Sequence, residues 1–261
     1  LTVLFFAVII GVFIMKKIFF LFLCFSLLIL SCGNNNNNKE ASKEDVLIVG
    51  IDADFPPFGY YEGDEIKGFD YDIMNEIAKV SGINIEIIAM KFDGLLPALQ
   101  TKKIDAIIAG MTVTEERKKF VNFSKTYYVS SQVMLVNDKN DSITNFDNLL
   151  GKDVGVVIGT TGDIIMTETE GVNTHKFDTG AGAVLALAEN KIDAIVFDKE
   201  PCKNFAKYND GIKLIESDAV EEDYAIAVRK EDTLILDKIN KGLDVIMTNG
   251  TYEKLIDKNF K

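Results

Sequence analysis

The stretch KIDAIIAG, Lys103–Gly110, returns nearly letter for letter as KIDAIVFD, Lys191–Asp198. Each copy follows a helical pattern: Leu95, Leu96 and Leu99 within Asp93–Lys102 before the first, and the small-residue run Ala181–Glu189 before the second. Five shared letters in a shared helix-then-strand context mark a duplicated supersecondary unit rather than a coincidence. Upstream, VLIVGID (Val46–Asp52) is a β-branched apolar run that stops at the turn-rich DADFPPFGYYEGDEIKG. Asp70–Val80 places Ile73, Met74, Ile77 and Ala78 on one helical face before Gly82, and Ile83–Ile88 alternates as a strand. The order β-α-β-α-β predicts a largely parallel sheet with helices on its faces. The second half starts the pattern again, with a helix end, an apolar strand and a GTTG turn in Asp147–Asp163 and a helix over Asp163–Glu170. Open α/β sheets bind ligands beyond the carboxyl ends of their strands, so two such units predict two lobes facing a shared cleft.

The chemistry then lies in the residues just after each KIDAI. The first copy runs on as AGMTVTEERKKF, Ala109–Phe120. Gly110 allows close backbone approach, and Thr112 and Thr114 supply hydroxyls ahead of a helix start that holds Arg117. A helix dipole disfavours a cation at its start; a bound anion relieves that conflict, because amides and a forked guanidinium together suit a carboxylate or phosphate. The alternative is a surface arginine paired with Glu115 or Glu116. GTTG, Gly159–Gly162, offers amides from the second half; it has neither the Lys-Ser or Lys-Thr of a P-loop nor the G-x-G-x-x-G spacing. The second copy ends at Asp198, directly after Phe197. A carboxylate ending a buried strand needs a cation, and a ligand ammonium would serve. Asp52, at the end of the first strand, is a second such group, with Phe55 and Phe92 as walls. The plainer readings make Asp52 a turn cap and both phenylalanines core.

Composition bounds the rest. A chain of 261 residues with 48% hydrophobic and 26% charged residues is that of a globular protein. From Met15, the expected initiator, MKKIFFLFLCFSLLILSC reads as a secretory signal. Its end, LILSC, resembles a bacterial lipobox, which makes Cys32 the expected lipidation site and Asn34–Asn38 a polar tether. The apolar residues Leu1–Ile14 keep an uncleaved membrane helix open as the alternative. Cys24 goes with the signal, so Cys202 alone remains in the folded part and no intramolecular disulfide is expected. The net charge is −12; beyond the signal, 26 basic residues stand against 40 acidic ones, a net −14. Such a chain makes a poor nucleic-acid partner and has no basic face for anionic lipid, leaving the anchor as its hold on a membrane. His175, the sole histidine, lies in a loop-like stretch, and no Cys or His pair suggests a metal. No Ser/His/Asp or Cys/His set is visible; Asp52, Asp198 and Glu222 are the carboxylates placed near the cleft.

Three blocks carry a resemblance: GIDADFPPFGYYEGDEIKGFDYDIMNEIA, MKFDGLLPALQTKKIDAIIAGMTVTEERKKFVNFSKTYY and NGTYEKL. They resemble the solute-binding receptors of polar amino acid ABC importers, the family of glutamine, histidine and lysine-arginine-ornithine binding proteins, over about Val46 to Phe260. The resemblance implies an α/β, two-lobed periplasmic-binding-protein-like (type II) fold with two hinge crossovers. It divides the chain into a signal over 1–32, a tether over 33–45, lobe 1 from 46–130 and 221–261, and lobe 2 from 131–220. It also implies roles. Arg117, Thr112 and the Thr161 amide would hold an α-carboxylate; Asp198 and the Gly110 carbonyl, beside Ala109, would hold an α-ammonium; Phe55 and Phe92 would sandwich the side chain, with Asp52 at its polar end. The implied protein is a monomeric, extracytoplasmic lipoprotein at the periplasmic or cell-surface side, without cofactor or catalysis. It would deliver arginine, lysine or histidine, or else glutamine, to an ABC permease. A periplasmic dehydratase of the cyclohexadienyl or arogenate type is the enzymatic alternative, and a sensor docking to a membrane partner predicts the same pocket.

Overall fold

Asp105 and Asp193, the third residues of the two KIDAI copies, make the same joint in two places. The computed structural model describes residues 46–217 and 221–261. The signal, the lipobox at Cys32, the tether and the initiator Met15 lie outside the described residues. The first lobe contains β1 (Leu47–Ile51), a small hairpin sheet of β2 (Asp54–Phe55), β3 (Gly59–Glu62) and β4 (Glu65–Lys67), then α1 (Phe69–Ser81), β5 (Ile85–Ala89), α2 (Phe92–Gln100), β6 (Ala106–Ile107), the single turn α3 (Glu115–Lys118) and β7 (Val121–Asn137). The second continues with β8 (Asp153–Val157), α4 (Thr161–Glu168), β9 (Asn173–Phe177), α5 (Gly180–Ala188), β10 (Ala194–Asp198), α6 (Lys199–Tyr208) and β11 (Ile212–Ile215); β12 (Glu221–Arg229), α7 (Thr233–Thr248) and α8 (Thr251–Phe260) return to the first.

The sheet order is β5-β1-β6-β12-β7 in the first lobe and β9-β8-β10-β7 in the second, with β11 on the far side of β7. In both lobes three parallel strands are followed by an antiparallel crossover strand. Only β7 belongs to both sheets. Its first half pairs with β12, from Val121↔Arg229 to Ser131↔Glu221, and its second half pairs with β10 and β11. These two adjacent strands are the crossovers of a type II two-lobed fold.

The expectation of a strand through all of KIDAIIAG is corrected: β6 is only Ala106–Ile107, and the preceding residues form a turn. The N–H of Lys103 donates to the carbonyl of Ala98, and that of Lys191 to Ala186, each at 2.9 Å, which closes the preceding helix. Asp105 then brackets its neighbour strand: its N–H donates to the Ile48 carbonyl (2.7 Å) and its Oδ2 accepts the Ile48 N–H (3.0 Å). Asp193 does the same to Asp153, at 2.7 and 2.9 Å. Ile104 and Ile192 are buried against Gly50 and Gly155, where an added Cβ would come within 2.7 and 2.6 Å of the isoleucine Cδ1 atoms. What is duplicated is therefore a helix-turn-strand joint, in which the Ile and Asp side chains meet equivalent partners in both copies.

Helix α1 buries Ile73, Met74, Ile77 and Ala78, the stripe that the periodicity predicts, and closes at Gly82. His175 is not in a loop; it lies on the exposed edge strand β9, with Nε2 2.8 Å from Asp153 Oδ1. Cys202 is a free, buried thiol, so the folded part holds no disulfide among the described residues. Aromatic rings fill the junction of the lobes: Phe55 stacks on Phe58 at 5.2 Å and meets Phe197 edge-on at 5.4 Å.

Removing each joint carboxylate tests the equivalence. Asp193→Ala strands one strand amide and is expected to cost about 1–2 kcal/mol. Asp105→Ala also deprives buried Arg229 of a carboxylate 2.8 Å from its Nη2, so its cost is expected to be larger, about 3 kcal/mol. Urea unfolding of both variants checks the order; an equal or reversed order would show that the Arg229 pair adds nothing.

Candidate functional site

Strand ends of both lobes converge on one pocket. Asp52, Phe55, Phe92, Gly110, Thr112 and Arg117 line it from the first lobe and Thr160, Thr161, Phe197 and Asp198 from the second, around a narrow cavity of about 10 Å³. Of the residues placed in or near the pocket on sequence grounds, Ala109 and Glu222 do not line it; Ala109 is buried one position behind Gly110, and Glu222 borders a neighbouring cavity.

Arg117 is 5% exposed. Thr114 caps its helical turn, accepting the Arg117 N–H at 3.1 Å, and the side chain folds back into the cleft. Nη1 donates to the Thr112 carbonyl at 2.7 Å, and Nη2 crosses to the Gly159 carbonyl of the other lobe at 3.0 Å. Its Cζ lies 5.3 Å from the centre of the Phe92 ring. Two sequence expectations are revised here. One turn of helix has little dipole, so the conflict at Arg117 comes from burial, which lowers its pKa against the pull of Asp198 and Glu222. The ion-pair alternative also goes, because Glu115 and Glu116 pair with Lys118 and Lys119.

The walls are held from behind. Asp163 fixes the GTTG turn: its Oδ2 accepts the Gly159 N–H at 3.0 Å, while Thr160 caps the start of α4. Gly110, at φ 53, donates its N–H to Asp70 Oδ2 at 2.8 Å; a Cβ there would strike the Phe55 ring. Asp70 is fully buried and also accepts the Tyr127 hydroxyl at 2.8 Å. Burial pushes its carboxyl up to about 7, against the pull of those two donors.

Asp52 does cap a turn, accepting the Asp54 N–H at 3.0 Å, and it faces the pocket as well. Burial raises it to about 6. Asp198 is 3% exposed and meets no cation in a direct bond; it accepts the Tyr224 hydroxyl, and burial followed by the neighbouring charge of Glu222 raises its pKa. Tyr224, Gln132 and Asp70 escaped the sequence reading: Gln132 and Tyr224 sit mid-strand on the crossovers, and Asp70 begins a helix whose pattern marks only its apolar face. Thr160 and Phe197 were within reach, since each adjoins a residue that was singled out. The pocket can thus offer a fixed cation at one place, carboxylates at two others and apolar rings between. No group of His, Cys, Asp and Glu suited to a metal occurs among the described residues.

Residues 47–261 match the family of bacterial extracellular solute-binding proteins, family 3, and the chain belongs to that family. It is 36% identical over 243 residues to the arginine-binding extracellular protein ArtP of Bacillus subtilis, covering 91% of this chain and 94% of that one. It is likewise 36% identical to a probable histidine-binding protein of Campylobacter jejuni, covering 84% and 86%. An ancestral arginine-binding protein solved with arginine superposes with a TM-score of 0.80 at 41% identity, covering 83% and 98%. An ancestral amino acid-binding protein described as a precursor of cyclohexadienyl dehydratase superposes at 0.78 with 34% identity, covering 83% and 96%. These neighbours are named as binding proteins, and the family to which this chain belongs is one of solute-binding proteins.

Three raised carboxyls give the protein a pH signature. Asp52, Asp70 and Asp198 hold protons when folded that the unfolded chain releases near 3.8. The stability they confer is complete below that value and is lost as pH rises through about 6 and 7. Asp70→Asn, neutral throughout, is expected to flatten part of the fall in melting temperature between about pH 5 and 7.5. An unchanged profile would mean that Asp70 is ionised in the folded protein.

Proposed function

We propose that this protein is the receptor of an ABC importer and captures a basic L-amino acid, arginine, lysine or histidine, by closing two lobes on it; glutamine is the second candidate. The observation that carries this reading is the placement of Arg117 and Asp198 on opposite lobes of one pocket, with a further buried carboxylate, Asp52, facing it. The resemblance supplies the roles. Arg117, Thr112 and the Thr161 amide take the α-carboxylate, and Asp198 with the Gly110 carbonyl takes the α-ammonium. Phe55 and Phe92 flank the side chain, and Asp52 meets its far end. Asp52 also favours a cation on charge: an approaching guanidinium or ammonium would restore the ionised form that burial opposes. The named relatives that bind arginine and histidine support the same choice.

The energy suffices. Micromolar affinity needs roughly −8 kcal/mol. Four or five charge-assisted hydrogen bonds at about 1.5–3 kcal/mol each reach that after the cost of ordering. Closure is then favoured with ligand present, and a permease can take the closed form as a sign of occupancy. The reading includes lobes of 46–130 with 221–261 and of 131–220, a monomer, and tethering to the outer face of a membrane through lipid on Cys32.

Melting temperature measured with each of the twenty amino acids tests the proposal. Arginine, lysine and histidine are expected to raise it, and Arg117→Ala is expected to weaken arginine binding by about 2–4 kcal/mol. Asp52→Asn is expected to weaken arginine about ten- to hundredfold and glutamine far less. If no amino acid shifts the wild-type protein, the receptor reading fails.

A further inference from the structure

At the foot of the pocket the two crossover strands bring a second carboxylate beside Asp198. Asp198 is the register partner of Gln132 on β7, and Glu222 on β12 is the partner of Ser130. Gln132 and Ser130 are two residues apart on one strand and share a face, so Asp198 and Glu222 converge there. Glu222 is 6% exposed and Gln132 4%. Glu222 Oε2 accepts from Gln132 Nε2 at 2.9 Å and from Thr112 Oγ1 at 3.3 Å, so it is tied to a residue of the pocket wall. The groups facing this pair are few. Arg117 approaches from α3, with two of its donors engaged by carbonyls; Tyr224 on β12 donates its hydroxyl to Asp198; and the buried thiol of Cys202 on α6 is held neutral. Arg117 lies near enough to attract both carboxyls but has two of its donors turned to carbonyls, and burial together with the neighbouring charge of Glu222 disfavours the ionised form of Asp198.

We propose that Glu222 is a positioning residue for ligand capture: its side chain, held beside Asp198 by Gln132 and Thr112, helps keep a proton on Asp198 before the ligand enters, and the entering ammonium expels that proton. The inference rests on the receptor reading. In the step, the carboxyl O–H bond breaks and its proton passes to buffer. The ammonium keeps all its protons and donates to the carboxylate that is left. Gln132 and Glu222 also border a second cavity beyond the pocket, walled by Leu149, Ile165 and Met166, so the proton has an exit that the ligand does not block. Because the ligand-free protein holds one proton more than the complex, affinity rises with pH, by up to about tenfold per unit while the free Asp198 stays protonated. An acidic medium therefore favours release.

Calorimetric titration of the protein with L-arginine near pH 7, in buffers of low and high ionisation enthalpy, counts the protons. The wild type is expected to release close to one proton per arginine near pH 7, and Glu222→Gln distinctly less, because burial alone still raises Asp198. Asp52 adds release mainly below about pH 6, so the difference between wild type and Glu222→Gln is the deciding quantity. Heat without buffer dependence in the wild type, or an undiminished count in the variant, overturns the proposal alone. Absence of heat with arginine, lysine, histidine and glutamine overturns the receptor reading and this proposal with it. Should Glu222→Gln fail to fold, the arginine affinity of the wild type between pH 6 and 8 decides: a rise approaching tenfold per unit supports the linkage, and a flat line refutes it.

Discussion

Arg117 carries a full charge almost out of contact with water, and the protein compensates it with two backbone carbonyls, one from each lobe. Carbonyl dipoles can hold a guanidinium, but they do not neutralise it. The carboxylates around it are correspondingly left without a bonded cation: Asp198 leans on a tyrosine hydroxyl and Asp52 on a backbone amide. The pocket thus sets a buried guanidinium and two buried carboxyls within one cleft. Its cation holds acceptors that carry no charge, and its carboxyls are pushed toward the neutral state. Asp163 behind Gly159 and Asp70 behind Gly110 keep the backbone from relaxing around these unspent charges.

The architecture is legible because it is written twice. Val46–Asp52 is a β-branched apolar run, Asp70–Val80 carries a helical stripe, and the two KIDAI units repeat one helix-then-strand order, which fixes the layers. The inaccurate part is the conformation inside the repeat. KIDA reads as strand because its apolar letters alternate, yet Asp105 and Asp193 spend their carboxylates on amides of a neighbouring strand, and that requires a turn. A side chain bonding across 57 or 40 residues leaves no trace in a local pattern.

The same distinction divides the site. Residues at strand ends, Asp52, Gly110 and Asp198, are visible because a polar group closing an apolar run stands out. Arg117 comes to notice through a dipole argument that the single turn α3 does not support; its burial is the sounder reason. Gln132, Tyr224 and Asp70 go unseen because their neighbours in sequence are ordinary. Gln132 and Tyr224 become neighbours of Asp198 through β7 pairing with β10 and β12, and Asp70 meets Gly110 through a side-chain bond spanning 40 residues.

That shared strand also governs how the molecule can deform. Ser130 and Ser131 of β7 are paired with Glu222 and Glu221 where the chain passes from one sheet to the other. Sliding one lobe along the other would break this ladder and stretch a continuous chain, both of which cost far more than bending. Two coupled ribbons bend readily in one direction and resist the rest, as a leaf spring does. A ladder of this kind opposes sliding of the two sheets more strongly than it opposes bending.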